Sequence, residues 1–133
     1  MPVLNASNAD EIAAAFASLG KLRAGGILVS AESLYITHAD LIIALAARYG
    51  IPANYEFALF ARAGGLMSYG TNFLSGNRQL GAVAGRILNG EKPGDLPVQQ
   101  AVKFEMVLNM KTAKALGIEV PTGVLLRADE VIE

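Results

Sequence analysis

Short, continuously apolar runs alternate along the chain with longer segments in which apolar residues recur every three or four positions. The run Ile27 to Ser30 is typical of a parallel strand that is covered on both faces. Two further strands are predicted at Ala53 to Tyr55 and at Leu66 to Ser68. Because consecutive strand-helix-strand units are right-handed and adjacent in most proteins, we expect these three strands to be parallel neighbours.

Helices are predicted before and between these strands. Asn8 and Glu11 stand at capping-box spacing, and the helix that follows buries Ile12, Phe16 and Leu19. The next helix is predicted from about Thr37 to Tyr49, after a loop over Ala31 to Tyr35. Its expected core residues are Leu41, Ile42, Leu45 and Ala46, with Gly50 and Pro52 as stop signals. A brief strand is predicted at Pro2 to Asn5, and a short helix carries Phe57 and Phe60 and stops at Gly64-Gly65.

After Gly70 the pattern changes. A polar loop is predicted over Thr71 to Gly76, then a helix over Asn77 to Asn89, then a linker over Gly90 to Pro97. The apolar side of that helix comprises Leu80, Val83, Ala84, Ile87 and Leu88.

The last part of the chain begins with a period-two pattern over Val102 to Leu108, which predicts a strand with one solvated face, antiparallel or at a sheet edge. Asn109 can cap a helix that runs through Leu116 and stops at Gly117, and Pro121 to Ile132 is predicted to be an amphipathic tail. The fold class is therefore α/β, three-layer, with a mainly parallel sheet and a late edge strand.

Composition limits the classes of partner. The chain has 133 residues, enough for one core, and it is 53% hydrophobic and only 17% charged, so some apolar surface is left for a partner. A formal net charge of -1 provides no basic field, which argues against nucleic acid. The N-terminus lacks the basic and apolar regions of a signal peptide, so the chain as written is predicted to be cytoplasmic unless it is a fragment of an exported protein.

No catalytic constellation is evident, and the sequence predicts no cofactor and no metal. His38 is the only histidine and there is no cysteine, so a metal site would need carboxylates alone. Ser30, Ser33 and Ser68 lack the Gly-x-Ser-x-Gly setting of a nucleophile. The sequence therefore indicates a protein that is not an enzyme.

Polar and aromatic residues do follow the predicted strands. Glu32 and Glu56 are acids at strand ends, where a general acid/base role is less expected than a solvated or helix-starting one. Three tyrosines at the same edge could either sandwich a ligand or be structural. Since ligands of open α/β sheets bind at the carboxyl ends of strands, the candidate ligand-binding residues are Glu32, Ser33, Tyr35, Tyr55, Glu56, Ser68, Tyr69 and Gly70.

Three segments in order carry a resemblance: Tyr-Glu-Phe to Ala-Gly-Gly-Leu-Met-Ser-Tyr-Gly (55–70), Ile-Leu-Asn-Gly-Glu-Lys-Pro-Gly-Asp-Leu-Pro-Val (87–98) and the stretch 103–121. Over residues 4–133 the chain resembles the C-terminal part of ABC-transporter substrate-binding proteins with the type I periplasmic-binding fold. That family commonly has a charged pair where this chain has Ala58 and Leu59. Its N-terminal lobe and the first strand and helix of its second lobe have no counterpart here.

The resemblance implies a periplasmic solute receptor that binds a small molecule, such as a tryptophan-like amino acid, between two lobes and hands it to an ABC permease. It implies an α/β lobe core over 1–70, a hinge-crossing helix and linker over 71–97, and a returning strand and helix over 98–133. Without the other lobe, the helix 77–89 is expected to form a homodimer; the alternative for this helix is that it folds back onto its own sheet. The alternative to a solute receptor is a small self-associating structural or interaction protein with no ligand.

Overall fold

A five-stranded mixed sheet organises the chain in the computed structural model, which describes residues 2–97 and 103–133. The strands are β1 (Ile27–Val29), β2 (Ala53–Tyr55), β3 (Met67–Thr71), β4 (Phe104–Asn109) and β5 (Glu130–Ile132), and they lie side by side in that order. β1, β2 and β3 are parallel, β4 is antiparallel to β3, and β5 is parallel to β4. The predicted α/β class, the mainly parallel sheet and the order of the first three strands are confirmed.

Seven α-helices and a 3-10 helix at Pro93–Asp95 accompany the sheet in the described residues. The α-helices are α1 (Ala9–Ser18), α2 (Ser33–Thr37), α3 (Ala39–Tyr49), α4 (Ala58–Arg62), α5 (Phe73–Leu88), α6 (Met110–Ala115) and α7 (Thr122–Leu125). α1 begins where the sequence predicts. The Asn8 side chain accepts the Glu11 N–H at 2.9 Å, and the Glu11 carboxylate accepts the Ser7 N–H at 2.8 Å. These bonds satisfy N–H groups that have no partner within the helix.

One large apolar cluster joins α1 and α3 to β2 and α4. Its most enclosed side chains are Tyr55, Ile42, Ala53, Phe60 and Ile12. Ile27 and Val29 of β1 pack against the same cluster, so they point to the face of the sheet that these helices cover. Leu28, between them, points to the other face and is 64% exposed.

A second cluster ties α4 to β4. Val107 is fully buried against Ala58 and Ala61. The Asn109 side-chain amide donates to the Ala61 carbonyl at 3.0 Å, and the same side chain caps α6 by accepting from the Thr112 N–H at 3.1 Å. The predicted role of Asn109 as a helix cap is confirmed.

Two local predictions near the N-terminus are wrong. Residues 2–5 were predicted to form a strand from their sequence pattern, but they do not pair with any strand of the sheet. Part of the predicted loop 31–35 belongs to α2, because Ser33 begins a short helix that runs directly into the turn at His38.

The later boundaries also differ. α5 begins at Phe73, within the predicted polar loop, because Asn72 caps it by accepting the Ser75 N–H at 2.8 Å. The antiparallel alternative predicted for β4 is confirmed, but its predicted position at the edge is wrong. β5 forms from the predicted tail and lies at the edge instead. The period-two pattern also did not predict the buried residues of β4 correctly, since Phe104 is exposed while Val107 is buried. Val102, predicted to begin this strand, lies outside the described residues.

α5 stands apart from the rest of the fold. No side chain described in it is buried, and Leu80 and Leu88 are 67% and 87% exposed. The alternative that this helix folds back onto its own sheet is therefore not what the structure shows. Within the described ranges, no helix has both the length and the apolar character needed to cross a membrane.

Candidate ligand-binding site

The carboxyl ends of β1, β2 and β3 meet at one edge of the sheet. Tyr55 is paired with Ser68, and this register places Glu56 beside Tyr69. Gly70 packs directly on Glu56: a Cβ atom added to Gly70 would overlap the Glu56 carbonyl oxygen. The residues predicted from the ends of β2 and β3 are thus brought together.

The side chains at this edge differ in access to solvent. Glu32 and Ser33, which follow β1, are exposed at the start of α2. Tyr35 and Glu56 are half-buried, and Tyr69 is 53% exposed. These five residues include two carboxylates, the Ser33 hydroxyl and two tyrosine side chains, so the edge offers hydrogen-bonding groups beside an accessible ring.

Tyr55 and Ser68 lie beneath this edge rather than on it. Tyr55 is fully buried, and its ring stacks on Phe60 at a centroid distance of 4.6 Å. Neither its hydroxyl nor the Ser68 hydroxyl has a hydrogen-bond partner among the described residues. Burial raises the pKa of Tyr55 to about 12, because the ionised phenolate would lose its hydration. Both side chains support the backbone that carries Glu56 and Tyr69.

Three residues that the sequence pattern did not single out extend the edge toward α5. The Asn72 side-chain amide donates to the Glu105 carboxylate at 2.7 Å, which links the start of α5 to β4. Phe104 stacks beside Tyr69 at a centroid distance of 5.9 Å. The position of Asn72 before an apolar helix was a usable capping signal, whereas the contacts of Phe104 and Glu105 depend on strand pairing across 33 or more residues.

The side chains at this edge have the chemical groups that bind small ligands. Carboxylates and a hydroxyl can accept hydrogen bonds from an ammonium or amide group, and exposed rings can cover an apolar or aromatic ligand. His38 is half-buried at the junction of α2 and α3. The described ranges contain no group of three or more His, Cys, Asp or Glu side chains placed to hold a metal ion.

The mixed sheet, with a polar edge at the carboxyl ends of its parallel strands, is an α/β lobe with a fold of the periplasmic-binding type. The family model described as "ABC transporter substrate binding protein" matches residues 3–132. The chain therefore belongs to the ABC transporter substrate-binding protein family. No curated protein matches the sequence.

Solved structures share this fold. A conserved domain protein from Vibrio cholerae matches with a TM-score of 0.86 at 24% identity, over 95% of this chain and 42% of its own. An ABC domain from Streptococcus pneumonia, in complex with L-Trp, matches with a TM-score of 0.84 at 25% identity, over 94% and 42%. A substrate-binding protein with adhesive properties from Clostridium difficile, in its ligand-free, open form, matches with a TM-score of 0.64 at 25% identity, over 96% and 42%.

The chain thus spans 42% of the length of each of these solved relatives. The match includes the sheet edge described above, since it extends over almost the whole of this chain.

Proposed function

We propose that this chain is a solute-binding component of an ABC-type uptake system and binds a small molecule, such as an amino acid, without catalysis. The observation that carries the proposal is the family match over residues 3–132, combined with the polar edge at the carboxyl ends of β1 to β3. The L-Trp complex of the Streptococcus pneumonia relative supports an amino acid as the class of solute.

Each exposed edge residue has a role in this proposal. Glu32 and Glu56 accept hydrogen bonds from the ammonium group of the solute, and the Ser33 hydroxyl fixes its orientation. Tyr69 and Tyr35 provide aromatic surface for its side chain. Gly70 lets β3 lie directly against the Glu56 backbone, and Tyr55 and Ser68 support the same strands from below.

The proposed organisation follows the family. Residues 1–70 form the lobe core, residues 71–97 the hinge-crossing helix and linker, and residues 98–133 return to the same lobe, with 98–102 outside the described residues. A full receptor of this kind would act in the periplasm and deliver its solute to an ABC permease. A single lobe buries only one side of a solute, so we expect weak binding by a monomer.

Isothermal titration of the purified chain with L-Trp and a panel of other amino acids tests the solute site. We expect the wild type to bind with a dissociation constant above the micromolar range. The constant should be higher still in Glu56→Gln and Tyr69→Ala. Tyr49→Ala is the matched control, because Tyr49 is also a partly exposed tyrosine but lies at the far end of α3. Micromolar or tighter binding to a demonstrated monomer, or equal affinity in all three variants, would contradict the proposed site.

A second function, self-association through α5, is favoured by a separate observation. Leu80 and Ile87 lie on one side of α5, and Leu74 and Leu88 beside them are also exposed. Burying such side chains is worth roughly 1.5 to 3 kcal/mol each, so together they favour a partner. A symmetric homodimer in which α5 packs on its copy would bury them without any ligand.

Light scattering at tens of micromolar tests this dimer. We expect a mass of two chains for the wild type and of one chain for the double variant Leu80→Asp and Ile87→Asp. Ala82→Asp adds one aspartate on the side of α5 opposite to Leu80 and should remain dimeric. A wild-type monomer would refute the dimer while leaving the solute titration unaffected.

A further inference from the structure

Asn89 and Gly90 are the only Asn-Gly pair in the sequence. They lie directly after α5, where Asn89 caps the carboxyl end of the helix and Gly90 follows with a φ of 100°. Glycine adopts this left-handed backbone conformation at no steric cost. Both residues are exposed, and among the described residues no hydrogen bond or ion pair involves the Asn89 side chain. The side-chain amide of Asn89 is therefore free to turn toward the backbone of the next residue.

The other asparagines have a different setting. Three of them cap helices with the side-chain oxygen, at 2.8 to 3.1 Å, and donate the side-chain amide to a carboxylate or a carbonyl: Asn8, Asn72 and Asn109. Asn77 lies inside α5, where hydrogen bonds of the helix hold the backbone. Each of the other six asparagines is followed by a residue with a side chain, which hinders a close approach of the two groups. Only Asn89 combines an unbound side chain with a glycine as its successor.

We propose that Asn89 is a site of spontaneous deamidation, for which the chain supplies the nucleophile and water is the co-reactant. The deprotonated backbone nitrogen of Gly90 attacks the side-chain Cγ of Asn89. A bond from this nitrogen to Cγ forms, the bond from Cγ to Nδ2 breaks, and Nδ2 takes a proton from solvent and leaves as ammonia. Water then opens the succinimide ring at one of its two carbonyl carbons and gives aspartate or isoaspartate at position 89. No atom is oxidised or reduced.

The end of α5 allows the backbone movement that this attack requires. In the closed turn the Gly90 N–H donates to the Ile87 carbonyl at 3.0 Å, and the Glu91 N–H donates to the Arg86 carbonyl at 3.1 Å. No side chain described in α5 is buried, so packing adds little to these bonds. Opening the turn therefore breaks hydrogen bonds at a helix end but uncovers no core, and such local opening has a low free energy.

The product changes the end of the helix. The carboxyl end of a helix carries partial negative charge, so a new carboxylate at position 89 is unfavourable there. Isoaspartate also adds one carbon atom to the backbone, which prevents the same turn from closing. Deamidation should therefore loosen the last turn of α5 and its connection to the segment 90–97. The inference is independent of the solute site, because the length of α5 separates Asn89 from Asn72 and the sheet edge.

Incubation of the intact chain at pH 8 and 37 °C, followed by peptide mapping with mass spectrometry, tests the reaction. We expect Asn89 to lose ammonia roughly tenfold faster, or more, than any other asparagine, and the rate to rise with pH because the attacking nitrogen must be deprotonated. Arg78→Gly creates a second Asn-Gly pair inside α5, and Asn77 in this variant should stay slower than Asn89. An intact Asn89 after other asparagines have reacted, or equal rates at Asn77 and Asn89 in Arg78→Gly, would overturn the proposal.

Hydrogen exchange tests the effect of the product. Asn89→Asp should speed exchange of the Glu91 amide about two- to fivefold, because the new charge opposes the helix end. Asn77→Asp is the matched control: it adds the same charge nearer the start of α5 and should leave the Glu91 rate unchanged. Equal Glu91 rates in the wild type and Asn89→Asp would contradict the predicted loosening.

Discussion

α3 and α5 are both amphipathic, but the apolar side of α3 is buried and that of α5 is exposed to solvent. α3 buries Ile42, Leu45 and Ala46 against the sheet and α1, whereas α5 buries none of its described side chains. Leu45 in α3 and Leu88 at the end of α5 both belong to the apolar side of their helix, yet the first is enclosed and the second is almost fully exposed. An apolar stripe therefore shows that a helix needs a partner, but it does not say whether that partner lies in the same lobe.

The two helices contribute differently to the stability of the lobe. α3 contributes to the core on which the edge residues rest, so its apolar side chains stabilise the lobe itself. α5 follows directly after Gly70 and Thr71 and is joined to β4 through Asn72 and Glu105. Its apolar side is thus available for association while its start is fixed to the sheet.

The largest expected effect is on the free energy of unfolding after truncation of a leucine. Leu45→Ala should lower it by about 2 to 5 kcal/mol, because the substitution leaves a cavity in the core. Leu88→Ala removes the same atoms from solvent-exposed surface and should change it by less than about 0.5 kcal/mol. Urea unfolding of both variants at low protein concentration measures the contrast, and similar losses would show that α5 is packed within the lobe.

Glycine-to-alanine substitutions should have opposite signs in the two regions. Gly70→Ala places a methyl group against the Glu56 backbone and should destabilise the protein by about 1 to 3 kcal/mol. Gly81→Ala, in the middle of α5 with nothing within 4 Å of the new atom, should stabilise it by about 0.4 to 1 kcal/mol. Thermal unfolding should give a lower Tm for the first variant and a higher Tm for the second. A stable Gly70→Ala protein would argue against the close packing of β3 on Glu56.

High pH should separate the buried tyrosine from the exposed one. The folded-state pKa of Tyr55 is raised to about 12, so above pH 10 the unfolded chain releases this proton first, and stability falls as the pH rises from 10 to 12. At pH 11 the raised pKa of Tyr55 should lower the free energy of unfolding by about 1 kcal/mol. Tyr55→Phe should remove that part of the loss, while Tyr69→Phe should not. Identical pH profiles for the wild type and Tyr55→Phe between pH 9 and 11.5 would contradict the enclosed phenol.

The smallest expected effect concerns the ion pair that links α4 to β5. Arg62 and Glu130 meet at 2.6 Å, and Arg62 holds the pKa of the Glu130 carboxyl below its usual value. Its stabilisation is therefore present above the unfolded pKa and is lost as the pH falls through the folded one. Because both side chains are partly exposed, Glu130→Gln should cost less than about 1 kcal/mol at pH 7, and less again in 1 M salt. Glu91→Gln is the control, because it breaks a similarly exposed pair, Arg86–Glu91, that spans only five residues at the end of α5 and joins no two separate elements; it should change urea unfolding less than Glu130→Gln does.

Much of the local structure could be predicted from the residues alone. Asn8 and Asn109 begin helices because a side-chain oxygen placed before an apolar helix accepts an N–H that the helix leaves free. The three parallel strands follow from short apolar runs separated by helices and from the fixed hand of such connections. The edge residues Glu56 and Gly70 were also foreseen, since adjacent parallel strands bring their carboxyl ends together.

Other features were decided only by tertiary structure. Tyr55 was expected beside a ligand, but stacking on Phe60 and enclosure by the core place its side chain beneath the edge. β5 forms because β4 offers it an edge, although its own residues resembled an amphipathic tail. Local propensity depends on the nearest few residues, whereas burial and strand pairing depend on segments far along the chain, so the sequence pattern determined where elements begin and only the fold determined what they contact.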